Sequence, residues 1–95
     1  MPKHSEHPEI IEHANKLANL FEEDGFTIIS KLRPDFHAQL EILKNNVVVR
    51  IWIDQNEEKN NKITYQAGTV FSLKRSCVKP EALLKQANAV VKENT

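Results

Sequence analysis

Asn45 and Asn46 stand between two segments of alternating character, Phe36 to Lys44 and Val47 to Asp54, and that arrangement leaves the chain few choices. Asparagine tolerates the positive φ that both central positions of a type I′ turn require, so the segments read as a hairpin with a two-residue loop. Such a loop fixes the register: Lys44 opposes Val47, and each step outward pairs the next two residues. One face then gathers Ile42 with Val49, Leu40 with Ile51 and Ala38 with Ile53. The other gathers Glu41 with Arg50, Gln39 with Trp52 and His37 with Asp54. Apolar meets apolar and acid meets base, which is an internal test of the register.

Around this hairpin the periodicity changes. From Pro8 to Asp24 apolar residues fall at Ile10, Ile11, Ala14, Leu17, Ala18 and Phe21, the spacing of one buried helical stripe, with Ser5 or His7 as cap and Gly25 as terminator. Phe26 to Arg33 alternates as a first strand, and Pro34, Asp35 and Phe36 form an odd loop that places Leu32 beside Ala38. Gln55 to Asn61 has no apolar residue and reads as a solvated connection. Lys62 to Lys74 alternates again, with Ile63, Tyr65, Ala67, Phe71 and Leu73 in phase and Gly68 marking a bulge or a break. If Ile63 pairs with Ile53, the stretch from Val70 to Leu73 overhangs its neighbour. It then needs a second subunit or, with a turn at Gly68, the chain itself. Lys79 to Val91 closes as a helix, with Pro80 in its first turn and Leu83, Leu84, Ala87, Val90 and Val91 as its stripe. The expected fold is therefore α+β: a two-layer sandwich in the order α-β-β-β-β-α, an antiparallel four-stranded meander with both helices on one face.

Ninety-five residues support one core, so residues 1–95 read as a single domain whose first four residues are frayed. The longest uninterrupted apolar run is three residues, as at Val47 to Val49, well short of the roughly 18 that a membrane span needs. The N-terminal segment has no signal-like apolar stretch, and Cys77 as the only cysteine suits a reducing compartment; the expectation is a cytoplasmic protein. Net charge is zero but polarised, with six acids against two lysines in residues 1–24 and five bases against two acids in residues 72–95. That balance lacks the strong basic excess of a nucleic-acid footprint.

The face opposite the expected core would display Thr27, Ile29, Lys31, Arg33, His37, Gln39, Arg50 and Trp52. Here Trp52 can stack on an apolar group while Arg50, Lys31 and Arg33 hold an anion. A second basic candidate is Lys74, Arg75 and Lys79, leading into the last helix. The spacing of His4, His7, Glu9 and His13 matches no zinc signature, so no metal is expected. Cys77 stands near three bases and a helix start, features that activate a thiol, and His37 opposite Asp54 resembles an orienting acid–base pair. No glycine-rich phosphate loop is possible with two glycines 43 residues apart, and no cofactor is expected. In topology alone the helix, sheet, helix order resembles double-stranded RNA-binding domains, whose lysines at the second helix start are replaced here by Pro80, Glu81 and Ala82.

These features together describe a non-enzymatic binding or regulatory module acting through protein–protein contacts on the sheet face around Trp52 and Arg50. It is expected to form a homodimer, because Val70 to Leu73 overhangs and because Ile29, Leu43, Val48 and Trp52 crowd the outer face. The alternatives are nucleic-acid binding through the basic and aromatic face, and a small enzyme built on Cys77 or on His37 with Asp54.

Overall fold

A computed structural model describes residues 8–32, 38–60, 62–69 and 71–95. Helix α1 (Pro8–Glu23) is followed by strands β1 (Thr27–Lys31), β2 (Leu40–Lys44), β3 (Val47–Asn56) and β4 (Lys62–Gly68), and then by helix α2 (Pro80–Glu93). The strands form one antiparallel sheet in the order β1-β2-β3-β4. The α+β class and the α-β-β-β-β-α order are those expected. Ser5 and His7, the expected cap of α1, lie outside the described residues, as do Arg33, Pro34, Asp35, Phe36 and His37.

The end of α1 shows why a sequence stops being helical. Phe26 N donates to Phe21 O at 2.9 Å and Gly25 N to Glu22 O at 3.1 Å, the paired bonds of a Schellman motif, with Gly25 at φ 94°. The apolar contact that accompanies such a motif is made by Phe21 and Phe26, whose rings meet edge-on with centroids 5.3 Å apart. A three-way polar contact holds the same corner. Lys44 Nζ donates to Asp24 O at 3.0 Å and to Asn88 Oδ1 at 2.9 Å, and it lies 4.8 Å from the centre of the Phe26 ring. Asn88 Nδ2 in turn donates to Asp24 Oδ2 at 2.8 Å, so the end of α1, the hairpin and α2 are joined.

The hairpin register is as the sequence implies, from Lys44 opposite Val47 to Leu40 opposite Ile51, with Asn45 and Asn46 at φ 52° and 64°. Alternate strand residues Leu40, Ile42, Val49, Ile51, Ile53, Tyr65 and Ala67 are buried. They form one cluster with Ile10, Leu17 and Phe21 of α1 and with Leu83, Ala87 and Val90 of α2. Each fully buried large apolar side chain contributes about 1.5–3 kcal/mol, so this cluster carries the fold.

Two expectations are corrected, and a third point, open from sequence, is decided. The first strand runs from Thr27 to Lys31 rather than Phe26 to Arg33, and its register shifts between Ile28 and Ser30. The extra residue of this bulge moves Lys31 opposite the buried Leu40, though Lys31 itself stays exposed, and puts Ser30 opposite Glu41. Leu32 still packs on the core. It does so at φ 59°, with its N–H on Gln39 O at 2.7 Å.

Second, β2 begins at Leu40, and Gln39 is buried rather than displayed on the outer face opposite Trp52. Its N–H donates to Ile51 O at 2.9 Å while its Oε1 accepts the Ile53 N–H at 2.6 Å. The side chain thus supplies the acceptor a continued ladder would have offered, which is how a buried backbone donor is satisfied where pairing ends.

Third, Lys62 to Lys74 is not one strand. Ile53 pairs with Tyr65, two residues later than the Ile63 pairing considered from sequence, so β4 ends at Gly68 opposite Arg50. The chain then reverses. Thr69 N donates to Ser72 O and Lys74 N to Ala67 O, both at 2.8 Å, and bridges pair Gly68 with Leu73 and Tyr65 with Cys77. The chain itself therefore partners this stretch, and one of the two grounds for expecting a homodimer is removed. At the other end of the sheet β3 extends to Asn56, and Glu57–Lys59 forms a 3-10 turn capped by Asn56 Oδ1, which accepts from Glu58 N at 3.0 Å.

Candidate functional site

The reversal at Gly68 creates the feature that dominates the outer face. A side chain at this position would place its Cβ 2.5 Å from Ser72 O and 2.7 Å from Leu73 Cδ2, so only glycine admits so close a return. The hook formed by Thr69, Phe71, Ser72 and Leu73 lies beside Arg50, opposite Gly68, and beside Trp52, opposite Gln66. Gln66 Nε2 fastens its far end by donating to Lys74 O at 3.0 Å, and Thr69 Oγ1 accepts the Phe71 N–H at 3.2 Å. Phe71 is 93% exposed at the crest of the hook, with Leu73 55% and Val48 43% exposed around it.

Two shallow concavities flank Phe71. One, of about 500 Å³, is lined by Arg50, Trp52, Thr69, Phe71, Ser72 and Leu73. The other, of about 450 Å³, includes Glu41, Val48, Arg50 and Phe71 in its walls. Arg50 belongs to both. Its Nε sits 3.4 Å from Glu41 Oε2, the cross-strand pair the hairpin implies, and Ser30 Oγ donates to Glu41 Oε1 at 2.8 Å. The guanidinium is thus paired with Glu41 in a concavity it shares with Trp52 and Leu73.

Of the residues singled out from sequence, Trp52 and Arg50 lie together at this site. Gln39 is turned inward as a backbone partner, Lys31 is displaced by the bulge, and Arg33 and His37 lie outside the described residues. Lys74 Nζ pairs with Glu93 Oε1 at 2.5 Å, while Arg75 and Lys79 are exposed, Lys79 standing at the start of α2. Phe71 was missed because it shares the phase of Tyr65 and Ala67; only a turn immediately after Gly68 takes it out of the core.

Near the opposite end of β3 and β4 a smaller concavity of about 270 Å³ is lined by Asp54, Lys59, Lys62, Thr64, Ser76 and Cys77, among others. Partial burial pushes the Cys77 thiol above its ordinary value, the opposite direction from the lowering that activates a thiol nucleophile. Burial, and then the neighbouring Cys77, raise the Tyr65 hydroxyl as well. His13 does not pair with Glu9. Its Nδ1 lies 2.5 Å from Tyr65 Oη, and Glu9 Oε2 accepts from Gln55 Nε2 at 2.6 Å. Among the described residues no group of three His, Cys, Asp or Glu side chains converges, and no helix is long and apolar enough to cross a membrane.

Comparison of the chain with protein-family models, with curated proteins and with solved structures returned no match. The site rests on its own geometry.

Proposed function

We propose that the protein is a non-enzymatic binding module that takes a protein partner on the outer sheet face, at the hook that carries Phe71. One observation carries this reading: an aromatic ring left almost wholly in water at the crest of a fastened turn, beside Trp52 and Arg50. Exposed apolar patches on small domains mark contact surfaces, and Trp, Arg and aromatic anchors dominate the energetics of protein interfaces. Arg50 is paired with Glu41 and Lys74 with Glu93, which favours a protein over a polyanion whose binding needs accumulated positive charge. A half-buried, unpaired Cys77 fits a reducing, cytoplasmic setting and no catalytic duty.

The test is photo-crosslinking in expressing cells, with p-benzoylphenylalanine at position 71, at 48 on the same patch, or at 58 in the polar turn. Protein adducts at 71 and 48 but not at 58, resistant to nuclease, are expected. Absence of adducts at 71, or adducts that nuclease removes, would overturn the reading.

A further inference from the structure

Resting on that reading, we infer that the partner is a second copy of this chain, joined about a two-fold axis with each Phe71 seated in the concavity beside Arg50 and Trp52 of the other. The patch holds both halves of such a contact. Phe71 is a knob, and the two concavities that flank it are holes of about 450 and 500 Å³, roomy enough for a ring and part of its hook. A surface that presents a projection and its own receptacle side by side is self-complementary, which is what an isologous two-fold contact requires.

Charge agrees with this occupant. The patch carries one cation and one anion, Arg50 and Glu41, so a two-fold axis brings opposite signs into reach without accumulating like charge, and the chain as a whole is neutral. An aromatic residue buries about 150–250 Å², so Phe71 alone supplies roughly a quarter of the about 800 Å² per side that a stable contact needs. Val48 and Leu73, 43% and 55% exposed, add apolar area around it.

Light scattering over a wide concentration series, together with the emission of the sole tryptophan, tests the inference. Mass should rise to that of two chains while Trp52 emission shifts to the blue. Phe71→Asp, at a position with nothing packed over it, keeps the fold by circular dichroism and weakens association at least about a hundredfold. Mixed with the parent chain, the variant retains one insertion of two and loses only about tenfold if the two insertions act independently. A single-chain mass at all concentrations overturns the second copy, and so does a dimer indifferent to Phe71→Asp. Adducts at position 71 to a different protein, combined with a single-chain mass, overturn this inference while sparing the binding reading; absence of adducts at 71 removes both.

Discussion

Gly68→Ala isolates the device that builds the exposed face. The added methyl would lie 2.5 Å from Ser72 O, about 1 Å inside ordinary van der Waals contact, and also 2.7 Å from Leu73 Cδ2 and 3.0 Å from Leu73 Cα. Two of these three neighbours are backbone atoms, so rotating a side chain does not relieve the clash and the hook itself must swing out. Doing so breaks the Thr69–Ser72 and Lys74–Ala67 bonds, at a net cost of about 0.5–1.5 kcal/mol each. Residual strain adds little once the hook has moved, because the detached hook is the lower-energy escape. The expected loss is therefore about 1–3 kcal/mol, or roughly 5–15 °C in melting temperature for a domain of this size. Thermal unfolding and amide exchange together give the assay. Thr69 and Lys74 amides should lose protection, while the Tyr65 and Cys77 amides, bonded to each other's carbonyls at 2.7 and 2.8 Å farther along, should keep it. An unchanged melting temperature with unchanged exchange at Thr69 and Lys74 would refute the steric argument.

Gly25→Ala tests the opposite reason for a glycine: its Cβ would meet only Lys44 Cε at 3.9 Å, so space is open and the expected loss of about 1–2 kcal/mol comes from φ 94° alone, read by chemical denaturation. Asp24 sets a pH dependence. Hydrogen bonds from Asn88, then from Lys44, hold its carboxyl below the ordinary 3.8 despite partial burial, so the folded value lies below the unfolded one. Its stabilisation is complete above the unfolded value near 4 and is lost as pH falls through the folded value; Asp24→Asn should remove that part of the acid decline from a profile of unfolding midpoints against pH.

The elements were legible where a local rule had no competitor. Two adjacent asparagines between alternating segments specify a turn type, a loop length and hence a register, and the apolar stripes of both helices left no second face to bury. What the sequence hid are the places where one residue changes role. Nothing marks Ile29 as the site of a bulge, yet one inserted residue shifts the register of everything after it and sets Lys31 opposite the buried Leu40. Gln39 reads as a surface amide by alternation, because a side chain standing in for a missing backbone acceptor has no periodic signature. Gly68 was visible as an interruption, but whether it bends a strand or ends it depends on the Tyr65–Cys77 bridge, set by residues a dozen positions apart. The candidate site inherits that division: Arg50 and Trp52 follow from the hairpin, whereas Phe71 follows from the reversal.

The treatment of the sheet's two margins bears on how this chain avoids fibres. Its most amyloid-like segment, Val47 to Ile53, is rich in β-branched residues and carries one charge, and it lies in β3, where β2 pairs Val47 to Ile51 and β4 pairs Arg50 to Ile53. The margins offer poor templates for strand addition. On one side β1 is only five residues long, is bent by its bulge and ends in Lys31; on the other, β4 is overlaid by the returning chain at Leu73 and Cys77. Loss of either cover would expose backbone donors and acceptors one strand away from the most aggregation-prone stretch. Solubility on storage is therefore a more sensitive gauge of the hook's attachment than the helical signal, which comes from α1 and α2 alone.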